Sequence, residues 1–530
     1  LTELMTSMNS RKSLVALMTL LLLSSGVVQA HDDDKLGKLA FPTSCDPKVQ
    51  AEFESGVAML HSYWFNYAGK TFQSVLQKDP TCAMAYWGIA LDLLGNTLAT
   101  PPSAKSAQDA WAALDKARAI GAKTPRERDW IEAISTYYRD HDKVPINARL
   151  AAYTKAMERV MQRYPDDYEA KVFYALTLQA SASKTDMTYA AQIKSANMLE
   201  QLYKQNPQHP GVSHFLIHAY DFPPLAQKGI AAARRYAGIA PAVPHARHMP
   251  SHIYSMVGLW EESIASNASS LEIQPDYLHA YDFSVYAALQ MAQDDRARAM
   301  TEKALNTPRR GDRPIGQADF TARASMPARL VIERGDWPGA AALPVGTPGS
   351  PIAESLTRFT RGLGMARTGD VAGAKGEIAT MQGLRSTLEK TDNSYWADRT
   401  EEQMLAVSGW IALAEGNKEQ AEKLMRAAAD LEDGSIKHVA MENRLYPLRE
   451  LYAELLLEIG QAAPALREFE AALISYPNRY RSIYGIARAA EASGDRRKAA
   501  EHYNKLMTLA NNTDSSRPEL ARARAYVAER

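Results

Sequence analysis

Apolar residues recur at spacings of three and four along nearly the whole chain, and no stretch alternates apolar and polar positions for the length of a strand. That period lays one apolar stripe along each of a series of α-helices. The punctuation between the stripes also repeats. Gly460, Ala465, Phe469, Ala472 and Pro477 form one set, and Gly494, Ala499 and Tyr503 continue it 34 residues later. Pro207, Pro241 and Pro275 are likewise 34 apart, with Gly258 and Trp260 ahead of the last. Pro80 and Pro165 close earlier units, while Gly335-Asp336-Trp337 with Ala340, Gly369-Asp370 with Ala374, and Gly416-Asn417 with Ala421 mark later ones. The pattern predicts helix pairs joined by tight turns over residues 49–530, with irregular insertions near 96–108, 140–146, 181–188, 309–320 and 342–352. No composition shift is sharp enough to mark a second domain, and the Pro/Gly stretch 343–351 is the candidate hinge.

One apolar run is not amphipathic. Leu14–Val28 follows Arg11 and Lys12, contains Leu20-Leu21-Leu22-Leu23, and ends at Val28-Gln29-Ala30. A charged start, a short apolar centre and a small-residue end predict a signal peptide over 1–30. Met8 is then the start residue, and 31–48 a lead segment. The alternative is an N-terminal membrane anchor, for which the run is short. His31, at the new N-terminus, could chelate copper, but Asp32-Asp33-Asp34 reads as a solvated tail. The expected location is periplasmic or secreted, with no membrane span after cleavage. Export permits a disulfide. Cys45 and Cys82 each precede a predicted helix start, and they are expected to bond and pin the N-terminal end; the alternative is two buried free thiols.

Composition narrows the function classes. The chain has 530 residues, with 61 Lys+Arg against 61 Asp+Glu. That balance lacks the basic footprint of a nucleic-acid binder. Two cysteines exclude a four-cysteine zinc site and an iron–sulfur cluster. The 20 methionines are scattered and read as core filler. No P-loop, dinucleotide fingerprint, GxSxG elbow or HExxH motif is present.

The 34-residue helix–turn–helix period resembles the tetratricopeptide repeat (TPR) family. The resemblance implies an all-α fold, a TPR superhelical solenoid of about 11–13 helix–turn–helix units in which each repeat packs on its neighbours. In TPR domains, positions 2, 5, 9 and 12 of the first helix of each unit face the concave groove. With the late proline at position 32, unit 210–243 places His214, His218 and Asp221 on that stripe. Unit 244–277 places His245, His248 and His252 there, and the unit from 278 places His279, Asp282 and Tyr286. Six of the chain's 12 histidines fall between residues 214 and 279, where even scatter would put one or two. The sequence His-x3-His-x2-Asp followed by His-x2-His-Met-Pro-Ser-His also resembles a set of exported bacterial TPR proteins; that likeness implies the fold and the motif, and no activity.

Residues four apart on a helix are about 6 Å apart along its axis, and packed helices lie about 8–10 Å apart. Imidazoles from three adjacent helices can therefore converge on one or two ions. Imidazole with carboxylate suits transition metals, with copper, iron and zinc foremost, over calcium or magnesium. Eight candidate ligands exceed one tetrahedral site. Two metals bind, or some of the eight orient ligating rings; six histidines also suffice for a paired-copper centre with three per ion. Pro250 is expected in the first turn of a helix, with His248 at or just before its start. The expected function is a metalloenzyme activating water or dioxygen, with Asp221, Asp282 or Tyr286 as acid/base candidates where they are not ligands. The alternative is a non-catalytic adaptor whose concave groove takes a peptide or small-molecule ligand, the metal being structural or absent. A lone carboxylate such as Glu169 is expected to be solvated, His61 to lie in the core or on the surface, with the edge of the groove as the alternative, and Trp64, Trp87, Trp111, Trp130 and Trp260 to pack between helices. Arg329, Arg358 and Arg361 could form an anion-attracting patch.

Overall fold

A computed structural model of the chain describes residues 35–99, 101–310, 315–346, 349–391, 393–439, 441 and 444–529. The expected signal peptide and His31 lie outside these residues. From the helix Gln50–His61 to the helix Pro518–Ala528, the described chain is a succession of α-helices, most joined by short turns, with longer connections at 95–103, 307–316, 342–350 and 434–447. The repeat punctuation has a local cause. Gly369 and Gly494 end their helices at φ 88° and 82°, a conformation costly for residues with a Cβ. The next residue caps the following helix: Asp370 accepts from Gly373 N–H, and Asp495 from Lys498 N–H. Asp336 and Asn417 cap their helices in the same way. The alanines that recur in the pattern (Ala340, Ala374, Ala421, Ala465 and Ala499) are fully buried where helices cross. The fold is thus an all-α TPR-like solenoid, with each pair buried on the next. Trp87, Trp130 and Trp260 are buried between helices as expected, and Trp64 stacks on Tyr67.

The lead segment is part of the packed body. Phe41 is buried against Phe53, Trp87 and Trp130, and Lys38 N–H donates to Gln208 C=O. Cys45 and Cys82 stand at disulfide-bonding distance, with Cα atoms 4.9 Å apart. The 343–351 stretch is anchored on both sides, by Arg361 Nη1 on Leu343 C=O and by Ser350 Oγ on Gln317 Oε1. Repeats far apart in sequence also meet. Trp260 Nε1 donates to Asn478 C=O, Tyr480 N–H to Gln290 Oε1, and Arg517 pairs with Asp294. Among the described residues, no helix is long and apolar enough to cross a membrane.

Candidate metal centre

Three first-of-pair helices carry the histidine stripe. The first, Pro210–Tyr220, opens on a proline and is capped by His209 Nδ1 accepting from Val212 N–H. Pro223 and Pro224 follow its end and forbid continuation. The second is split by Pro250 into Pro244–His248 and Pro250–Val257. The proline lacks an N–H and crowds the carbonyl four residues back, and the helix is interrupted at Met249. The third is Leu278–Gln290. Every residue of the first and third helices is buried.

Six rings form two triads. His214 Nε2 lies 3.1 Å from both His218 Nε2 and His245 Nε2. Across the Pro250 break, His248 Nε2 lies 3.1 Å from His252 Nε2, and His279 completes the second group. Within each triad the ligand atoms lie within 4.8 Å of one another. The triads are neighbours: the His218 and His252 ring centres are 5.8 Å apart, as are those of His245 and His248. Five of the six rings are buried and His245 is half-buried. The loop after Gln50–His61 covers one side. Tyr63, held at φ 52°, lays its ring against His214 and stacks on His245, with centroids at 4.5 and 5.4 Å. Such backbone strain persists where surrounding packing imposes it. From the other side, Lys437 reaches in to Asp221, and Ile436 N–H donates to Lys184 C=O.

The far nitrogens of the rings are mostly committed. His214 Nδ1 meets the His61 carbonyl at 2.6 Å, and His245 Nδ1 the Tyr277 hydroxyl at 3.0 Å. His248 Nδ1 meets Asn267 Oδ1 at 2.6 Å, and the amide orientation is fixed because Asn267 Nδ2 donates to Ser263 C=O. His252 Nδ1 meets Asp221 Oδ2 at 2.8 Å. Burial raises Asp221 to about 6, against the pull of Lys437, so it is an acceptor at neutral pH. The carbonyl, amide and carboxylate oxygens only accept, so His214, His248 and His252 carry their protons on Nδ1. Nε2 of His248 and Nε2 of His252 are then bare lone pairs facing each other at 3.1 Å. Two lone pairs at that distance repel unless a proton or a cation lies between them. Burial opposes the proton: it lowers His248 to about 4, despite the Asn267 hydrogen bond, and holds His252 well below its ordinary value.

The other stripe residues lie elsewhere. Asp221 sits just past its helix end and orients His252 from behind. Asp282 accepts from Ser325 Oγ at 2.8 Å and pairs with the buried Arg329. Tyr286 packs against Trp260 and accepts from Arg479. Asp282 joins neither triad. Arg358 and Arg361 are both paired with Glu377. With Arg329 taken by Asp282, these arginines form no open anion patch.

Glu169 is not solvated. It is buried between His61 and His209, with 2.7 Å to Nε2 of each. Burial alone would raise it, but His209 and His61 outweigh that and hold it near 2. His61 thereby links this group to the first triad, its ring on Glu169 and its carbonyl on His214. The sequence reading missed Asn267, Tyr277, Tyr63 and Lys437. Asn267 had a signal: Ser263, Asn267 and Ser270 form a polar stripe at spacings of four and three on the buried side of the helix Trp260–Ile273.

No protein-family model matches the chain, and no curated protein matches it. Among solved structures it is similar to a chain of the APC/C hetero-tetramer Cut9–Hcn1, at 12% identity over 90% of this chain and 76% of that one, with a TM-score of 0.38. It is also similar to human IFIT1, solved as a dimer with PPP-AAAA, at 12% identity over 87% of this chain and 90% of that one, with a TM-score of 0.40. Its own helix pairs and buried rings define the class: a TPR-like helical-repeat protein with histidine clusters that could hold metal ions.

Proposed function

We propose that this protein is an exported metalloprotein that binds two transition-metal ions, one in each histidine triad, and uses them to activate water or dioxygen. The observation that carries the reading is the pair of bare nitrogens on His248 and His252, 3.1 Å apart in a buried site. A cation turns that repulsion into coordination. Ligating histidines characteristically hand their other nitrogen to a carbonyl, carboxylate or amide oxygen. His214, His248 and His252 have such partners. Three protein ligands with a remaining open position is the arrangement of catalytic sites, whereas structural sites are closed. The burial of the rings supports an ion over a peptide at this stripe. The pairing distance of Cys45 and Cys82 supports an oxidising compartment.

The test is elemental analysis of the full chain recovered from periplasm or medium without chelator. The expectation is two equivalents of metal per chain. His218→Ala and His252→Ala should each lose the ion of their own triad with far-UV circular dichroism unchanged, because stability is spread over the repeats. No metal after loading with each candidate ion, or global loss of helicity in both variants, contradicts the reading. Recovery only from the cytoplasm contradicts export.

A further inference from the structure

The donor set narrows the metal and the co-substrate. This inference rests on the two-ion reading above and deepens it. All six candidate ligands are imidazoles, which bring no negative charge to an ion they ligate. Among the described residues, the one carboxylate hydrogen-bonded to a triad ring is Asp221, and Lys437 pairs with the same oxygen at 2.9 Å. Asp282, the other carboxylate of the stripe, is taken by Arg329. The protein therefore supplies almost no net negative charge to two adjacent buried ions. The cost of burying an ion rises with the square of its charge, so divalent ions are penalised far more than monovalent ones. Zinc also seeks a fourth ligand. Monovalent copper accepts three imidazoles and carries a single charge.

We propose that the two triads hold a pair of cuprous ions that together bind and reduce dioxygen. The charge ledger closes. Each cuprous ion gives one electron and becomes cupric. Dioxygen takes both electrons and becomes a dianion, its O–O bond order falling from two to one as a bond forms to each copper. No proton and no further reductant is needed for this step. The metal charge rises by two while the ligand brings two negative charges, so the buried site carries the same net charge before and after. Reduction to the dianion is available only to a pair: a single cuprous ion supplies one electron and stops at superoxide. The closeness of the triads along His218–His252 and His245–His248, each pair of ring centres 5.8 Å apart, places the two ions side by side.

The experiment loads the full chain with cuprous ion under anaerobic conditions, desalts it, and then admits dioxygen. The expected result is two cuprous ions retained per chain and one dioxygen taken up per pair. The oxidised pair should be silent in electron paramagnetic resonance because its two spins couple. His218→Ala and His279→Ala should each keep one ion and lose dioxygen uptake by more than tenfold, with circular dichroism confirming the fold. Two coppers that oxidise independently, giving the full signal of isolated cupric ions, overturn the inference and leave the two-ion reading standing. Retention of zinc with no retention of cuprous ion does the same. Retention of no metal at all overturns both.

Discussion

Asn267 and Asp221 touch no ion in this account, yet they determine which nitrogen of His248 and His252 is bare. Removing such an oriented acceptor costs about 10–100-fold in metal affinity. Asn267→Ala should therefore weaken the second triad by that order while the first keeps its ion, as read by competitive chelator titration; equal loss from both triads would contradict the assignment. The same buried rings make the metal-free protein sensitive to acid. His248 is lowered by burial to about 4 from an ordinary value of 6.5. Below 6.5 the unfolded chain takes up a proton that the folded chain refuses, so stability falls as pH drops from 6.5 toward 4. At about 1.4 kcal/mol per tenfold change in affinity, His248 alone contributes a loss of about 3 kcal/mol across that window. The urea midpoint of metal-free protein should fall steeply there, and His248→Gln should flatten the fall. A midpoint unchanged between those pH values would mean that the rings are wet.

At the scale of helices, the sequence made the stripe legible because its register follows from glycines and prolines that punctuate each repeat. Three spacing rules sufficed to bring His214, His218, His245, His248, His252 and His279 together. Asp221 and Asp282 were read as ligands by the same spacing, but the helix ends at Tyr220 and Arg329 lies opposite Asp282. Periodicity sees neither a helix terminus to within a residue nor a partner some 47 positions away. Three histidines per ion was one of the readings the sequence allowed, but which three share a group was not legible, since His245 lies with His214 and His218 and not with His248 and His252. Gly211 shows how closely the helices must approach. A Cβ there would stand 2.5 Å from His61 Nδ1, and the His61 ring is fixed by Glu169. Gly211→Ala should displace His61, loosen the carbonyl that orients His214, and cut the affinity of the first triad selectively. Full metal retention by this variant would show that the His61 carbonyl does not matter.

At the scale of the molecule, the solenoid departs from a simple chain of nearest-neighbour contacts. Arg479 is fully buried, pairing with Glu333 and Glu450 and donating to Tyr286. That one side chain ties the closing repeats to the helix carrying His279. No repeat period encodes such a contact, so the sequence revealed the units and not this closure. Arg479→Met would leave two buried carboxylates without their cation, a change that costs about 3–5 kcal/mol. It should lower the denaturation midpoint accordingly and weaken the second triad as well. A purely local effect would show that the closing repeats are independent of the site. Whether two ions sit in the two triads is read out by anomalous diffraction from crystals of natively purified protein at the absorption edge of the bound metal. Two peaks are expected: one bounded by Nε2 of His214, His218 and His245, the other by Nε2 of His248, His252 and His279. A single peak, a peak at His61–Glu169–His209 in place of these, or no peak in metal-loaded crystals would contradict that expectation.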